Sequence, residues 1–133
     1  MPPHLIYLRI RRYSMANSEH VELLGKGVAT WNQWRKDRSD MRPDLRGADL
    51  RNAILAGVNL SAADLPATIL TQADLRHADL RNAYLCGTNF SEANLKGANL
   101  CGADLGGANL RRAALERADL SGTDLRSALL YEA

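Results

Sequence analysis

Leucine recurs at every fifth position of this chain from residue 45 to residue 130, with Phe90 standing once in its place. The residue two before each leucine is small, most often alanine, and the residue between them is most often Asp or Asn. Five residues advance an α-helix by about 500°, so leucines at this spacing would spiral around it without forming a stripe. In a strand, an odd spacing would put successive leucines on opposite faces. The period therefore predicts a chain that bends once per pentad and keeps its leucines inside.

The bends have a sequence signal of their own. Gly or Asn stands two residues after many of the leucines, as at Gly47, Asn52 and Gly57. Both residues tolerate the positive φ that type II turns require. Each leucine shares a strand face with the small residue two before it, because side-chain direction repeats every two residues. We therefore expect a narrow tube with a Leu/Ala core and an outer skin of Asp and Asn.

The motif Ala-(Asp/Asn)-Leu-X-X resembles that of the pentapeptide-repeat family over residues 43–131. Its full matches are Ala48-Asp49-Leu50, Ala73-Asp74-Leu75, Ala78-Asp79-Leu80, Ala93-Asn94-Leu95, Ala98-Asn99-Leu100, Ala103-Asp104-Leu105, Ala108-Asn109-Leu110 and Ala118-Asp119-Leu120. The resemblance implies an all-β solenoid, a right-handed quadrilateral β-helix of about four and a half coils with four pentads per coil. Residues 47–61 and 77–91 look like copies of one three-pentad unit. The period by itself therefore also allows a triangular coil with three pentads per turn.

With four walls, residues twenty apart stack on the same wall. One outward column then contains Asp44, Asp64, Asp104 and Asp124, interrupted by Tyr84. Two interpretations stay open. The acids either keep the wall soluble or form an acidic docking strip. Stacked Asn residues could also hydrogen-bond in a ladder along the tube.

Residues 18–38 predict an N-terminal helix that caps the solenoid. Ser18 is a suitable N-cap, and Pro43 stops any continuation of the helix. One apolar stripe follows helical spacing and contains Val21, Leu24, Val28 and Trp31. The first coil of a solenoid needs a cover, so we expect Trp31 and Trp34 to lie over the first coil. A ligand-stacking site is the alternative for the two tryptophans.

Residues 1–17 lack the period and are predicted to be a disordered extension, with Met15 as a natural start. Leu5 to Ile10 is mostly apolar, but Arg9, Arg11 and Arg12 lie within and after it, which does not suit a secretory signal. A short strand that pairs with the solenoid edge is the alternative. The chain as a whole predicts one domain, with the β-helix over residues 43–131.

Composition gives no indication of a charged partner, a membrane or a disulfide. The formal net charge is +2, and no stretch is long and apolar enough to span a bilayer. Four walls would place Cys86 and Cys101 on adjacent faces, which predicts free thiols and a reducing, cytoplasmic compartment. The two cysteines and His77 lack the spacing of metal ligands. We predict no metal site, no cofactor and no catalytic residue, because no nucleophile with a base stands at usable spacing.

These features favour a non-enzymatic structural or protein-interaction scaffold with an unknown protein partner. The family resemblance raises DNA mimicry, with a topoisomerase such as DNA gyrase as the target, as an alternative. Weak nucleic-acid binding through outward arginines is another, since Arg111, Arg112 and Arg117 form a local cluster. At the C-terminus, Leu129, Leu130 and Tyr131 predict weak self-association.

Overall fold

The computed structural model describes residues 16–133, in which two short helices precede a solenoid. Helix α1 is Ser18–Gly25 and helix α2 is Val28–Asp37. From there, parallel bridges recur every five residues, and each joins a residue to the one twenty positions later, from Asp44↔Asp64 to Asn109↔Leu129. Four pentads therefore complete one coil, and the triangular alternative is wrong. Residues 1–15, and with them most of the predicted extension, lie outside the described residues.

We number the four walls by their bridging residues and call the two turn residues after each leucine a corner. Wall 1 contains Asp44, Asp64, Tyr84, Asp104 and Asp124. Wall 2 contains Asp49, Ile69, Asn89, Asn109 and Leu129. Wall 3 contains Ile54, Asp74, Asn94 and Ala114. Wall 4 contains Asn59, Asp79, Asn99 and Asp119. The predicted aspartate column with its tyrosine interruption is confirmed as wall 1.

In the middle coils, a pentad with Asp or Asn at its bridge position gives a partner to all five of its backbone N–H groups. In residues 74–78, the N–H groups of Leu75 and His77 donate to carbonyls of the next coil at 2.8 and 2.9 Å. Asp74 N–H donates to the preceding coil at 2.9 Å, and Ala78 N–H closes the turn onto Leu75 O at 3.0 Å. The fifth, Arg76 N–H, donates to the Asp74 side chain at Oδ1, 3.2 Å away. The outward Asp or Asn therefore completes the pairing of the backbone.

The same side-chain bond forms wherever Asp or Asn occupies a bridge position, with one exception. Asp64 is followed two residues later by Pro66, which has no N–H to donate. Its carboxylate instead accepts from Arg42 Nη2 in the segment before the first coil. No Asn–Asn hydrogen bond joins the coils within residues 16–133, so the expected amide ladder is replaced by these local turns.

The corners hold the strain of the fold. The second corner residue has φ between 56° and 73° whether or not it is glycine, as at Ala62, Gln72 and Gly57. A left-handed conformation costs an L-residue about 1–2 kcal/mol. Since the N–H of this residue bonds to the next coil, the ladder holds the corner in place against that cost.

The core is a column of leucines from consecutive coils. Leu65, Leu75 and Leu95 are fully buried, as is Phe90 in the leucine position. Thr68 and Thr88 occupy the small inward position and are also fully buried. Their hydroxyls donate to carbonyls of the preceding coil, Leu45 O at 2.9 Å and Leu65 O at 2.6 Å. Threonine therefore fits at this position because its hydroxyl has a hydrogen-bond partner inside the tube.

The single helix predicted over residues 18–38 is wrong, because the chain breaks at Gly27, whose φ is 111°. The N-cap of α1 is Asn17 and not Ser18. The Asn17 Oδ1 accepts from Glu19 N at 2.9 Å and from His20 N at 3.3 Å. Within the described residues, no helix combines the length and apolarity needed to cross a membrane.

We expect Ala83→Leu to destabilise the solenoid by about 1–3 kcal/mol, because Ala83 is fully buried in a middle coil and a larger side chain overpacks it. The shift of the chemical denaturation midpoint measures this cost. Ala114→Leu is the matched control, since Ala114 is a bridge residue and Leu129 already occupies such a position. Equal midpoints for the two variants would contradict the inward placement of Ala83.

Candidate interaction surfaces

We call the edge of the first coil the upper edge of the tube and that of the last coil the lower edge. At the upper edge, side chains of the two helices take the place of a preceding coil along walls 1 and 4. The Asp44 N–H donates to His20 Nδ1 at 3.0 Å, where a further coil would offer a carbonyl. The Asn59 N–H donates to Asn32 Oδ1 at 2.8 Å in the same way. In the other direction, Trp31 Nε1 donates to Asn59 O at 2.8 Å. The helices thus bond to the upper edge of the tube as a coil would.

Walls 2 and 3 do not receive this cover from the described residues. The N–H groups of Asp49 and Ile54 have no backbone or side-chain partner within residues 16–133. Leu50 and Ala53 are only partly buried, and Ile54 is 79% exposed. Residues 16–133 therefore cover the upper edge of the tube along walls 1 and 4 and leave it uncovered along walls 2 and 3.

The two tryptophans belong to the packing of this junction. Trp31 is fully buried, and its ring centroid lies 5.0 Å from that of Trp34. Trp34 in turn lies 5.1 Å from the His20 ring. Trp31 has no free face for a ligand, so the stacking-site alternative does not hold for it.

Most aspartates on the walls are neutralised by an arginine two residues later. In Asp-Leu-Arg, the arginine reaches back over the corner, so that Asp79 accepts from Arg81 Nε at 2.9 Å and from Nη2 at 2.7 Å. The same pair forms at Asp44–Arg46, Asp49–Arg51, Asp74–Arg76 and Asp124–Arg126. The hydrogen bond from Arg81 lowers the pKa of Asp79, and that from Arg126 lowers the pKa of Asp124 to about 2. The sequence analysis did not predict these Asp–Arg pairs, although the repeated triplet Asp-Leu-Arg could have indicated them.

Wall 1 is consequently not a bare acidic strip. Asp44, Asp64 and Asp124 each accept from an arginine, and Asp104 Oδ1 accepts from the backbone of its own corner at 3.0 Å. Tyr84 in the middle of the column is 45% exposed and lies under the Arg42 guanidinium, whose carbon is 4.0 Å from the ring centre. The wall presents mixed charge with one aromatic ring.

The three clustered arginines do not form a basic stripe. Arg111 and Arg112 lie at the corner after wall 2, and Arg112 Nε pairs with Glu132 Oε2 at 2.8 Å. Arg117 lies at the next corner, after wall 3. Positive charge is therefore divided between two corners and partly neutralised.

The lower edge of the tube ends in partly exposed apolar side chains. Leu115, Leu120 and Leu125 are partly buried, and their N–H groups have no partner within residues 16–133. Leu129, Leu130 and Tyr131 are 43%, 46% and 68% exposed. This edge combines apolar surface with free backbone donors.

A family model described as pentapeptide repeats matches residues 44–81, 68–107 and 93–130. Among solved structures, the pentapeptide-repeat protein Rfr23 from the cyanobacterium Cyanothece 51142 is 43% identical with a TM-score of 0.60, over 61% of this chain and 55% of that one. HetL from Nostoc sp. strain PCC 7120, described as involved in heterocyst differentiation regulation, is 42% identical with a TM-score of 0.62, over 63% of this chain and 41% of that one.

The chain thus spans about half the length of these two solved relatives. Comparison with curated proteins finds no match. With the bridges twenty residues apart, the solved relatives imply a right-handed quadrilateral β-helix for this chain.

We expect the helix–solenoid junction to weaken as the pH falls below about 6.5. Burial lowers the pKa of His20 from its ordinary value of 6.5, although the nearby carboxylates of Asp44 and Glu19 favour the protonated ring. The unfolded junction then binds the proton more readily than the folded one, so stability present above pH 6.5 is lost as the pH falls through the folded pKa. Tryptophan fluorescence during chemical denaturation at pH 7.5 and pH 5.5 measures the loss.

In His20→Asn the side-chain oxygen can still accept from Asp44 N–H but does not titrate, so the midpoint of this variant should change less with pH. His77→Asn removes an exposed histidine at a corner and should leave the pH dependence intact. The role of His20 is contradicted if His20→Asn and the unmodified protein lose the same stability.

Proposed function

The chain belongs to the pentapeptide-repeat family, and from this we propose that it is a non-enzymatic structural or protein-interaction scaffold. The observation that carries the proposal is that the interior of the tube is filled with side chains while its exterior is regular. Leucine side chains in the middle coils are fully buried, so the axis of the tube leaves no room for a substrate. The four walls carry small, mostly neutralised polar groups at fixed spacing, which suits docking of a partner along the rod.

The proposed scaffold is a single domain. It has about four and a half coils over residues 43–131 and a helical cap over residues 18–38. Bridges at twenty-residue spacing between Asp44 and Leu129 support the number of coils. The bonds from His20, Trp31 and Asn32 to the first coil support the capping role. Cys86 and Cys101 are free thiols, which supports a reducing, cytoplasmic setting.

The two alternatives need a surface of one charge sign. DNA mimicry needs a continuous acidic skin, and nucleic-acid binding needs a basic stripe. The Asp-Leu-Arg pairs place opposite charges within 3 Å of each other on all four walls, as at Asp49–Arg51 and Asp79–Arg81. We therefore rank the gyrase-type and nucleic-acid alternatives below a protein partner.

We further propose that the lower edge of the tube self-associates weakly. Leu129, Leu130 and Tyr131 form its exposed apolar part, and the backbone donors of the last coil lie beside them. A second copy would bury this surface and offer backbone acceptors.

Sedimentation velocity over a concentration series tests the self-association. We expect the weight-average sedimentation coefficient to rise with concentration, and this rise to disappear in the double variant Leu129→Asn, Tyr131→Ser, which changes only side chains outside the core. Ile54→Asn at the opposite end is the control and should keep the rise. A monomer at all concentrations, or the same rise in all variants, would remove the proposal.

Docking of a partner on a particular wall can be tested with one photoreactive side chain per wall. One coil provides a bridge residue on each of walls 1 to 4, in the order Tyr84, Asn89, Asn94 and Asn99. A photoreactive phenylalanine analogue at each position, in the native host, should cross-link a protein strongly from one wall or from two adjacent walls, because a partner can cover only part of the rod.

Excess unlabelled protein is the control, and it should compete with a specific cross-link. Treatment with nuclease separates nucleic acid from protein in the cross-linked species. Equal cross-linking from all four walls, insensitivity to competition, or cross-links to nucleic acid alone would each contradict a protein-docking scaffold.

A further inference from the structure

A buried arginine without a carboxylate partner lies between the helices and the solenoid. Arg35, in the last turn of α2, is only 8% exposed. Its Nη1 donates to Met41 O at 3.0 Å, and its Nη2 donates to Ser61 O at 2.6 Å. Its Nε is buried and has no partner. Buried charges in proteins are normally paired, so this guanidinium lacks a counter-ion.

The carboxylate with the strongest effect on Arg35 is already committed elsewhere. Burial lowers the pKa of Arg35, and the negative charge of Asp79 opposes this effect without forming an ion pair. Both oxygens of Asp79 are held by Arg81 at 2.9 and 2.7 Å. Asp79 thus supplies a field at a distance but leaves the guanidinium without a direct ionic contact.

A cavity of about 270 Å³ adjoins Arg35 at the corner before wall 1. Donor side chains from separate elements line it, including Ser39 and Arg42 from the segment after α2 and Asn82 from a corner of the second coil. Neither the Ser39 hydroxyl nor the Asn82 amide has a hydrogen-bond partner within residues 16–133. One carboxylate, that of Asp40, also lines the cavity, but its side chain is 84% exposed and lies 3.9 Å from Arg38 Nε.

Two of these donors have a defined orientation. A Cβ placed on Gly102 would lie 2.4 Å from Asn82 Oδ1, so the Asn82 carbonyl oxygen lies over that glycine and its amide nitrogen is turned away from it. Arg42 uses one Nη for Asp64, and its guanidinium carbon lies over the Tyr84 ring, 4.0 Å from the ring centre. Its remaining N–H groups have no partner within the described residues.

We propose that this cavity, lined by Arg35, Ser39, Arg42 and Asn82, binds a phosphate group, either as the free ion or as part of a small phosphate ester. Donors approach from a helix, a connecting segment and a corner of the solenoid. A tetrahedral oxyanion can accept from several directions at once, whereas a carboxylate offers two oxygens in one plane. The bound anion would supply the missing counter-charge of Arg35 and join the N-terminal helices to wall 1.

Inorganic phosphate is the first probe, with the ¹⁵N–¹H resonances of the Asn82 amide and the arginine Nε groups as the readout. We expect saturable shifts of these resonances with phosphate, and none with sodium chloride at matched ionic strength. A phosphate monoester such as glycerol phosphate distinguishes an ester ligand from the free ion by binding more tightly.

The double variant Ser39→Ala, Asn82→Gly removes two donors without touching the bonds of Arg35, and it should weaken phosphate binding roughly tenfold or more. Glycine suits position 82, where φ is 58°. Asn52→Gly is the matched control at the same position of another corner, with φ 61°, and should bind phosphate as the unmodified protein does.

Three results would overturn the proposal. The first is the absence of a saturable shift beyond the chloride control. The second is equal binding of acetate at the same ionic strength, and the third is equal phosphate affinity in the double variant and in Asn52→Gly.

Discussion

A chain that turns every five residues must find a partner for five backbone N–H groups in each pentad, and this requirement shapes the whole molecule. Two N–H groups bond to the next coil, one to the previous coil and one within the turn. The carboxylate or amide at the bridge position takes the last one, as Asp74 does for Arg76. The Asp/Asn position of the motif is thus explained by backbone pairing. Where Ile69 or Tyr84 replaces it, the remaining N–H lies at a corner, where water can reach it.

The two ends of the tube meet this requirement differently. At the upper end, His20, Trp31 and Asn32 provide side-chain donors and acceptors in place of a coil, but only along walls 1 and 4. At the lower end the described residues provide no replacement, and the last leucines are partly exposed. A solenoid is stabilised through contacts between neighbouring coils, so its end coils have fewer contacts than the middle ones.

Much of the fold could be predicted because the leucine spacing excludes both regular helix and regular strand. The inward leucines and alanines and the outward aspartates followed from that period, whereas the place of Tyr84 in wall 1 required four pentads per coil. The four-pentad coil came from family resemblance, since the copied three-pentad unit suggested a different symmetry. The break at Gly27 and the cap at Asn17 were missed, because the apolar stripe from Val21 to Trp31 runs across the break. The cavity beside Arg35 could not be predicted, since it joins residues 35, 39 and 82, which share no pattern in the chain.

Surface charge is also organised pentad by pentad. Arg76 and Arg81 each neutralise the aspartate of their own repeat, so most charge pairs are local in sequence as well as in space. Two exceptions are Arg42–Asp64, which joins the segment before the first coil to wall 1, and Arg112–Glu132, which joins two coils. A local pair keeps its partner wherever its repeat is placed along the tube, whereas a pair between coils depends on the distance between its members.

A quarter turn per pentad has a consequence for how such a chain can change in length. Insertion or deletion of one repeat preserves the core, the corner and the local charge pair, yet it rotates everything downstream by about 90° around the axis. A face assembled from several coils would then be split between neighbouring sides. Only steps of twenty residues leave such a face intact. The fold should therefore tolerate a change of one repeat more readily than a recognition surface built from several coils does.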